Sequence, residues 1–347
     1  MPGETQPHPA PEPGGAMAKG QSQTIAMTVP QSQILTVTLN SAIDHTAAIP
    51  NFEANAVNRV TWDQADPGGK GVNVASFLAD LGHNTAVTGF LGQDNAARFQ
   101  ALFQQKSIAD QFLYIPGATR VNIKVVDEAQ QQVTDINFPG VTPSPEAVAQ
   151  LHQTVADLLP DCAWVVLAGS LPQGVSPGIY RDLTLAAKQA GCRVALDSSG
   201  EAMALALSAL PDLIKPNRVE LEQLLGSPLA TETAVVQAAR QLGNQGIETV
   251  VVSLGAEGAL FVQGDCVLHA QPPAIAVKST VGAGDAMVAG TIAAQLQGKS
   301  LENTARLGTG CALGALSQIG PRLPPLAVIR DYGEGVTLRV GGDGVGG

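Results

Sequence analysis

The residues best suited to chemistry lie in glycine-rich segments. Ser279-Thr280-Val281-Gly282-Ala283-Gly284-Asp285-Ala286 enters a long helical pattern. Glycines there let a ligand approach the backbone, and the unpaired N–H groups of a helix start attract anions. The single carboxylate, Asp285, has two readings. It complements the helix dipole, or it takes a proton from a hydroxyl while the N–H groups of Gly282, Ala283 and Gly284 neutralise charge on a moving phosphoryl group. Pro67-Gly68-Gly69-Lys70-Gly71-Val72-Asn73 also enters a predicted helix. Its lone lysine and asparagine among glycines suit a polar ligand, and would equally suit an ordinary turn. Gly169-Ser170-Leu171-Pro172-Gln173-Gly174 directly follows a predicted strand, the place where open α/β sheets bind ligands.

Two further segments stand at predicted strand ends. In Lys215-Pro216-Asn217-Arg218-Val219-Glu220, Asn217 and Glu220 are three residues apart and share a helix face. That spacing suits a hydrated magnesium ion, and suits an asparagine form of the capping box just as well. Ser253-Leu254-Gly255-Ala256-Glu257-Gly258 would cradle nucleotide phosphates or simply turn the chain.

These segments need a scaffold. Strand-like runs at 34–39, 86–91, 164–168, 193–196, 213–214 and 249–253 alternate with helical patterns at 71–81, 179–190, 201–210, 219–225 and 234–242. The short apolar run at 164–168 suits a strand buried on both faces. Residues 259–262 and 266–269 predict a hairpin about Gly264-Asp265. A strand-like piece at 274–277 leads into the 279–286 segment, and helical patterns at 283–296 and 301–317 close the core. The alternation predicts an α/β fold with a mostly parallel central sheet and helices on both faces. Residues 45–66 and 119–138 break the rhythm with alternating strand-like pieces and no helix. They predict a small second sheet. It would act as a lid or a dimer contact rather than as two loose hairpins, because an apolar face with open edges has to cover something.

Composition bounds the rest. The chain has 347 residues, 45% apolar and only 14% charged, which excludes a largely disordered protein. The net charge of −11 argues against a general nucleic-acid surface, which needs clustered Lys and Arg. No apolar run approaches the roughly 18–20 residues of a membrane span. Cys162, Cys192, Cys266 and Cys311 are scattered, so a disulfide framework or zinc site is not expected and a reducing cytoplasm is. Residues 1–30, rich in Pro, Gln, Gly and Ser, read as a disordered extension with Met17 or Met27 as alternative starts. The domain then spans 31–335, and 336–347 reads as a low-complexity tail. Two decoys are set aside. Gly342, Gly344 and Gly347 spell a formal dinucleotide motif with no room for a helix behind it, which removes the case for a nicotinamide-dependent oxidoreductase. Gly298-Lys299-Ser300 lacks the first P-loop glycine, since Ala293 stands there.

Gly68-Gly69-Lys70-Gly71 early and Val281-Gly282-Ala283-Gly284-Asp285 late together resemble the ribokinase-type (PfkB) carbohydrate kinases, over roughly residues 34–330. Within that family, four segments are similar to the kinases of fructose 1-phosphate and tagatose 6-phosphate. They are Thr38-Leu39-Asn40-Ser41-Ala42-Ile43-Asp44, Gly89-Phe90-Leu91-Gly92, Thr119-Arg120-Val121-Asn122-Ile123-Lys124 and Lys215-Pro216-Asn217. The resemblance implies a ribokinase-like domain with a small β lid, and sugar phosphate and ATP meeting between them. By motif position it implies that Asp44, Gly69, Lys70 and Asn73 hold the sugar, and that Arg120, Lys124 and Ser170 hold its phosphate. The same reasoning gives the nucleotide to Ser253 through Gly258 with Lys215, Asn217 and Gly284, and Mg2+ to Glu220 through water. Gly282 to Gly284 become the anion hole and Asp285 the base. Arg120 and Lys124 have the same parity on a predicted strand, which points both to one face. The family usually carries Asn-Pro-Ala where this chain has Asn40-Ser41-Ala42, which relaxes the backbone before Asp44. The implied reaction is ATP-dependent conversion of fructose 1-phosphate to fructose 1,6-bisphosphate, with tagatose 6-phosphate or fructose 6-phosphate as alternative acceptors. A non-catalytic sugar-phosphate sensor is the alternative from another class, and Asp285 with an intact anion hole argues against it. The exposed lid strands imply a homodimer through the lids.

Overall fold

The apolar run that begins at Cys162 organises the molecule. Its Val165 and Leu167 enter one hydrophobic cluster, while Trp164, Val166 and Ala168 enter another. Successive side chains on a strand point to opposite faces, so this split requires cover on both sides. The computed structural model describes Gly3 and residues 33–341. The chain runs β1 (Gln33–Thr38), β2 (Ala42–Ala48), β3 (Trp62–Gly68), α1 (Lys70–Asp80), β4 (Thr85–Gly92), α2 (Ala97–Lys106), β5 (Ala109–Asp110) and β6 (Leu113–Ile115). It continues with β7 (Arg120–Asp127), β8 (Gln132–Ile136), α3 (Pro145–Leu158), β9 (Cys162–Ala168), α4 (Ile179–Gln189), β10 (Arg193–Asp197), α5 (Gly200–Leu207), β11 (Leu213–Ile214), α6 (Arg218–Leu225) and α7 (Glu232–Asn244). It closes with β12 (Thr249–Ser253), β13 (Ala259–Gln263), β14 (Cys266–Gln271), α8 (Ala283–Leu296), α9 (Leu301–Leu316), α10 (Leu326–Glu334) and β15 (Thr337–Val340).

The main sheet has the order β15-β14-β13-β12-β11-β10-β9-β1-β4-β5, with β6 also paired to β4. Pairing is parallel from β12 through β5 and antiparallel from β12 to β15. Apolar residues of α3, α4, α5, α6 and α7 pack on one face, and those of α1, α8, α9 and α10 on the other. The expected α/β fold is present. The second sheet has the order β3-β2-β7-β8. Its β2 and β7 are parallel, with Asp44 opposite Asn122. Ile43 roots this sheet in a third apolar cluster with Val72, Phe99 and Phe103.

Three expectations need correction. Residues 274–277 are not a strand. Pro272 and Pro273 remove backbone donors just before them, and both edges of β14 are already taken by β13 and β15. The tail from 336 is not uniformly low in complexity, because Thr337–Val340 forms β15 against β14 and Leu338 packs on the core. The lid sheet begins at Ala42 and ends its second strand at Gly68, so it reaches directly into both flanking glycine-rich segments. Helices α2, α3 and α10 were not anticipated. The expected extension at 1–30, apart from Gly3, and the Gly342–Gly344–Gly347 decoy lie outside the described residues. Among the described residues, no helix is long and apolar enough to cross a membrane.

Candidate active site

The start of α8 brings together residues that are far apart in sequence. Asp285 is only 6% exposed. Asn73, from α1, donates through Nδ2 to Asp285 Oδ2 at 2.8 Å. Burial, reinforced by the nearby Asp197 carboxylate, pushes the Asp285 carboxyl up to about 6, against the charges of Lys70 and Lys215 and the Asn73 hydrogen bond. A carboxyl so placed is ionised at neutral pH and within easy reach of protonation, as a general base requires.

Asp197 ends β10 and is 1% exposed. Lys70 Nζ lies 3.0 Å from its Oδ1, and Lys215 Nζ lies 3.6 Å from its Oδ2. Burial works against its charge, but the two ammonium groups outweigh that and hold the carboxyl below the usual carboxylate range. Burial likewise opposes the Lys70 charge, and Asp197, Asp285 and Glu220 together hold its ammonium above the ordinary lysine value. A Cβ on Gly284 would stand 3.1 Å from Lys215 Nζ, so this ammonium lies against the backbone of the expected anion hole. No sequence motif singled out Asp197. The one available signal was a carboxylate at the carboxyl end of a predicted strand, where this fold class binds ligands.

Beside this cluster is a cavity of about 390 Å³. Asp44, Gly69, Lys70, Asn73, Arg120, Ser170 and Glu220 all line it, so most of the expected substrate residues do converge. Burial raises the Asp44 carboxyl above its ordinary value, opposed by a hydrogen bond from Asn122 and by the charges of Lys124 and Arg120. The Asn122 bond, 3.1 Å from Nδ2 to Oδ1, follows from the β2–β7 register. A Cβ on Gly68 would sit 2.4 Å from Asp44 Oδ2, so glycine is needed there to leave the carboxylate in place. Arg120 donates to three carbonyls, of Asn40 at 2.9 Å, Phe138 at 3.0 Å and Ser41 at 3.3 Å. These partners orient the guanidinium without neutralising it, and five N–H donors leave some free for an anion. Ser170 Oγ accepts from Asn40 Nδ2 at 3.1 Å.

Lys124 departs from expectation. It shares a face with Arg120 but lines a smaller adjoining cavity of about 220 Å³, and its ammonium is ion-paired with Asp135. Asp135 is directly opposite Lys124 in the β7–β8 register, so the cross-strand pair consumes the charge that a phosphate would need.

On the other side, Ser253 to Gly258 form a compact loop at the end of β12. It contains a 3-10 turn, Gly255–Glu257, and is closed by Leu254 N–H donating to Gly258 O at 2.8 Å. Ser253 N–H donates to Pro216 O at 3.0 Å, and Asn217 and Ser253 form a parallel bridge. The loop therefore lies beside the Lys215-Pro216-Asn217 segment. Of the two readings of Asn217 and Glu220, the capping box is realised. Glu220 N–H donates to Asn217 Oδ1, Asn217 N–H donates to Glu220 Oε2, and both bonds are 2.8 Å. Glu220 Oε1 remains, 4.0 Å from Lys70 Nζ at the cavity wall. One available carboxylate oxygen fits a hydrated magnesium ion held chiefly by substrate phosphates, not a protein cage. Among the described residues, no three His, Cys, Asp or Glu side chains converge as such a cage.

Residues 35–327 match the pfkB family carbohydrate kinases. The chain belongs to this family. It is 49% identical over 308 residues to the 1-phosphofructokinase of Rhodobacter capsulatus, covering 88% of this chain and 98% of that protein. It is 44% identical over 293 residues to the 1-phosphofructokinase of Escherichia coli (strain K12), covering 82% and 91%. Among solved structures, the Escherichia coli phosphofructokinase-2 in complex with substrates and products aligns with a TM-score of 0.81 at 30% identity, over 87% of this chain and 98% of that one. A possible 1-phosphofructokinase from Thermotoga maritima aligns with a TM-score of 0.81 at 29% identity, over 89% and 99%. The pfkB-family kinase described here is thus a phosphotransferase acting on sugars, with the ribokinase-like architecture anticipated from its glycine segments.

Proposed function

We propose that this pfkB-family kinase transfers the γ-phosphoryl group of ATP to the free primary hydroxyl of fructose 1-phosphate, giving fructose 1,6-bisphosphate and ADP. The observation that carries the reaction class is the Asp285 carboxyl, buried at the start of α8 and raised to about 6, next to two lysines and the Gly282–Ala283–Gly284 backbone. The acceptor hydroxyl is a poor nucleophile until its proton has somewhere to go. Asp285 accepts that proton as the sugar O–P bond forms and the bond to the ADP leaving oxygen breaks. Lys70 and Lys215 with the α8 N–H groups meet the charge on the transferring group. Arg120 holds the phosphate already on the sugar, Ser170 lies beside it, and Asp44 with Asn73 and the Gly69 backbone holds the hydroxyls. Magnesium, held by Glu220 through water, would neutralise charge on the nucleotide phosphates. The 253–258 loop, with Asn217, receives the nucleotide.

Identity of up to 49% to 1-phosphofructokinases supports fructose 1-phosphate as acceptor. Turnover of fructose 1-phosphate, fructose 6-phosphate and tagatose 6-phosphate, compared side by side by coupled ADP release, tests this. The expected result is a kcat/KM highest for fructose 1-phosphate. A higher value for either other sugar would change the assigned acceptor, and no ADP release with any of them would favour a sensor. The lid excludes water that would otherwise compete for the phosphoryl group. Exposed Val121 and Ile136, with the outer edges of β3 and β8, support pairing of two lids in a homodimer. Both substrates are polyanions that do not cross membranes unaided, which supports a cytoplasmic reaction.

A further inference from the structure

We propose that His269 is a positioning residue for the nucleotide, holding the Glu257 carbonyl so that the 253–258 loop keeps the shape that receives the phosphates of ATP. This rests on the reading of that loop as the nucleotide site. His269 lies on β14 and is 2% exposed. Its Nε2 is 2.8 Å from Glu257 O. A carbonyl only accepts, so Nε2 carries a proton and donates it to the loop. Arg339 Nη2 donates toward Nδ1 from 3.0 Å. Glu232 Oε2, at the start of α7, lies 3.1 Å from Nδ1 and 3.5 Å from Arg339 Nη2, and so anchors the guanidinium.

The loop above the ring has little freedom to choose another partner. A Cβ on Gly258 would meet Ala270 O at 2.0 Å, so the loop is pressed against β14 itself. Glu257 is gripped at both ends: its carbonyl by His269 and its carboxylate by Arg218 Nη2 at 3.3 Å. Arg218 follows Asn217 directly, so the grip ties the loop to the second nucleotide segment. A buried imidazole is costly unless its nitrogens are bonded, and an apolar side chain would fill the space at lower cost. What the imidazole adds is a fixed donor aimed at one loop carbonyl, and preorganising a binding loop raises affinity by lowering the ordering cost.

The test compares His269→Leu, His269→Gln, Arg339→Met and Ala256→Glu. The readouts are calorimetric affinity for ADP, separate KM values for ATP and fructose 1-phosphate, and hydrogen exchange of the 254–258 amides in the free enzyme. His269→Leu is expected to weaken ADP binding and raise the ATP KM about tenfold, the scale of one hydrogen bond. It should leave the sugar-phosphate KM within about twofold and speed loop exchange. His269→Gln keeps a donor at the ε position and is expected to restore affinity. Arg339→Met, at a half-exposed site, should shift the same readouts in the same direction by less, and it decides the matter if the leucine variant does not fold. Ala256→Glu places a negative charge on the exposed loop and probes the loop reading alone. Unchanged ADP affinity in Ala256→Glu overturns the nucleotide site. Weakened affinity there, with His269→Leu and Arg339→Met unchanged, overturns only the role of His269. Equal losses for both substrates, or a glutamine variant no better than leucine, also overturn it by making the residue structural.

Discussion

Replacing Asp285 by Asn should cut turnover sharply and stabilise the protein, and both effects should carry a pH signature. The carboxyl titrates at about 6 in the folded chain against an ordinary 3.8. The folded state therefore holds this proton more tightly than the unfolded state, and ionising Asp285 costs folding stability. That cost is absent below about pH 4, grows as pH rises through the window between 3.8 and 6, and is complete above it. Its full size is about 3 kcal/mol. Asparagine removes the charge while keeping the size and the hydrogen-bonding capacity toward Asn73. Urea unfolding of both proteins should show the variant as the more stable at pH 7, with an advantage about 1 kcal/mol smaller at pH 5. Coupled ADP release should show kcat reduced about a hundredfold or more. The wild-type rate should fall as pH drops through about 6. An advantage independent of pH would refute the burial argument. Retained kcat in Asp285→Asn, with kcat lost in Asp44→Asn, would exchange the two roles.

Arg120→Ala should raise the KM for the sugar phosphate about ten- to a hundredfold, the scale of a charge-assisted hydrogen bond, with the ATP KM nearly unchanged. Lys124→Ala should have a clearly smaller effect, because Asp135 already holds that ammonium; steady-state kinetics on both variants check the ranking. Asp197→Asn removes a like charge beside Asp285, so the acid limb of the pH–rate profile should move below about 6, and an upward or absent shift would contradict the assigned coupling. Ile136→Asp puts a charge on the exposed lid face and should yield monomers by sedimentation if the lids pair.

The alternation of short apolar runs with helical patterns was enough to read the parallel sheet, because a strand buried on both faces leaves a continuous apolar signature. The lid was readable from Val121–Val126-type alternation with no helix between. The glycine segments were readable because close ligand approach constrains residue type locally. What stayed hidden depends on pairing across long stretches of chain. Asp197 becomes part of the site only because Lys70, 127 residues away, reaches it. Lys124 loses its availability only through the β7–β8 register. Strand β15 has four residues, and nothing in Thr337-Leu338-Arg339-Val340 says that the edge of β14 is open to it. Asn217 and Glu220 show a different limit. The same spacing serves a cap and a metal, and the cap forms because the first N–H groups of α6 need acceptors whether or not a ligand is bound.

The arrangement around α8 also says why a chain of net charge −11 can bring two polyanions together. Lys70 and Lys215 face Asp197 and Asp285, with Glu220 4.0 Å from Lys70, so the cluster carries no excess of positive charge while Asp285 is ionised. The two carboxylates have opposite fates. Asp197 is held ionised by direct contact with both ammonium groups, whereas Asp285 is held near the point of protonation. In the proposed reaction, one negative charge leaves the cluster as Asp285 takes the proton of the sugar hydroxyl. The surroundings of the Gly284 backbone would then become less negative as negative charge builds on the transferring phosphoryl oxygens. In a buried site, where charges are weakly screened, the proposed mechanism makes base catalysis and electrostatic stabilisation a single event. That coupling requires a carboxylate that does not titrate next to one that does, which is the division of labour between Asp197 and Asp285.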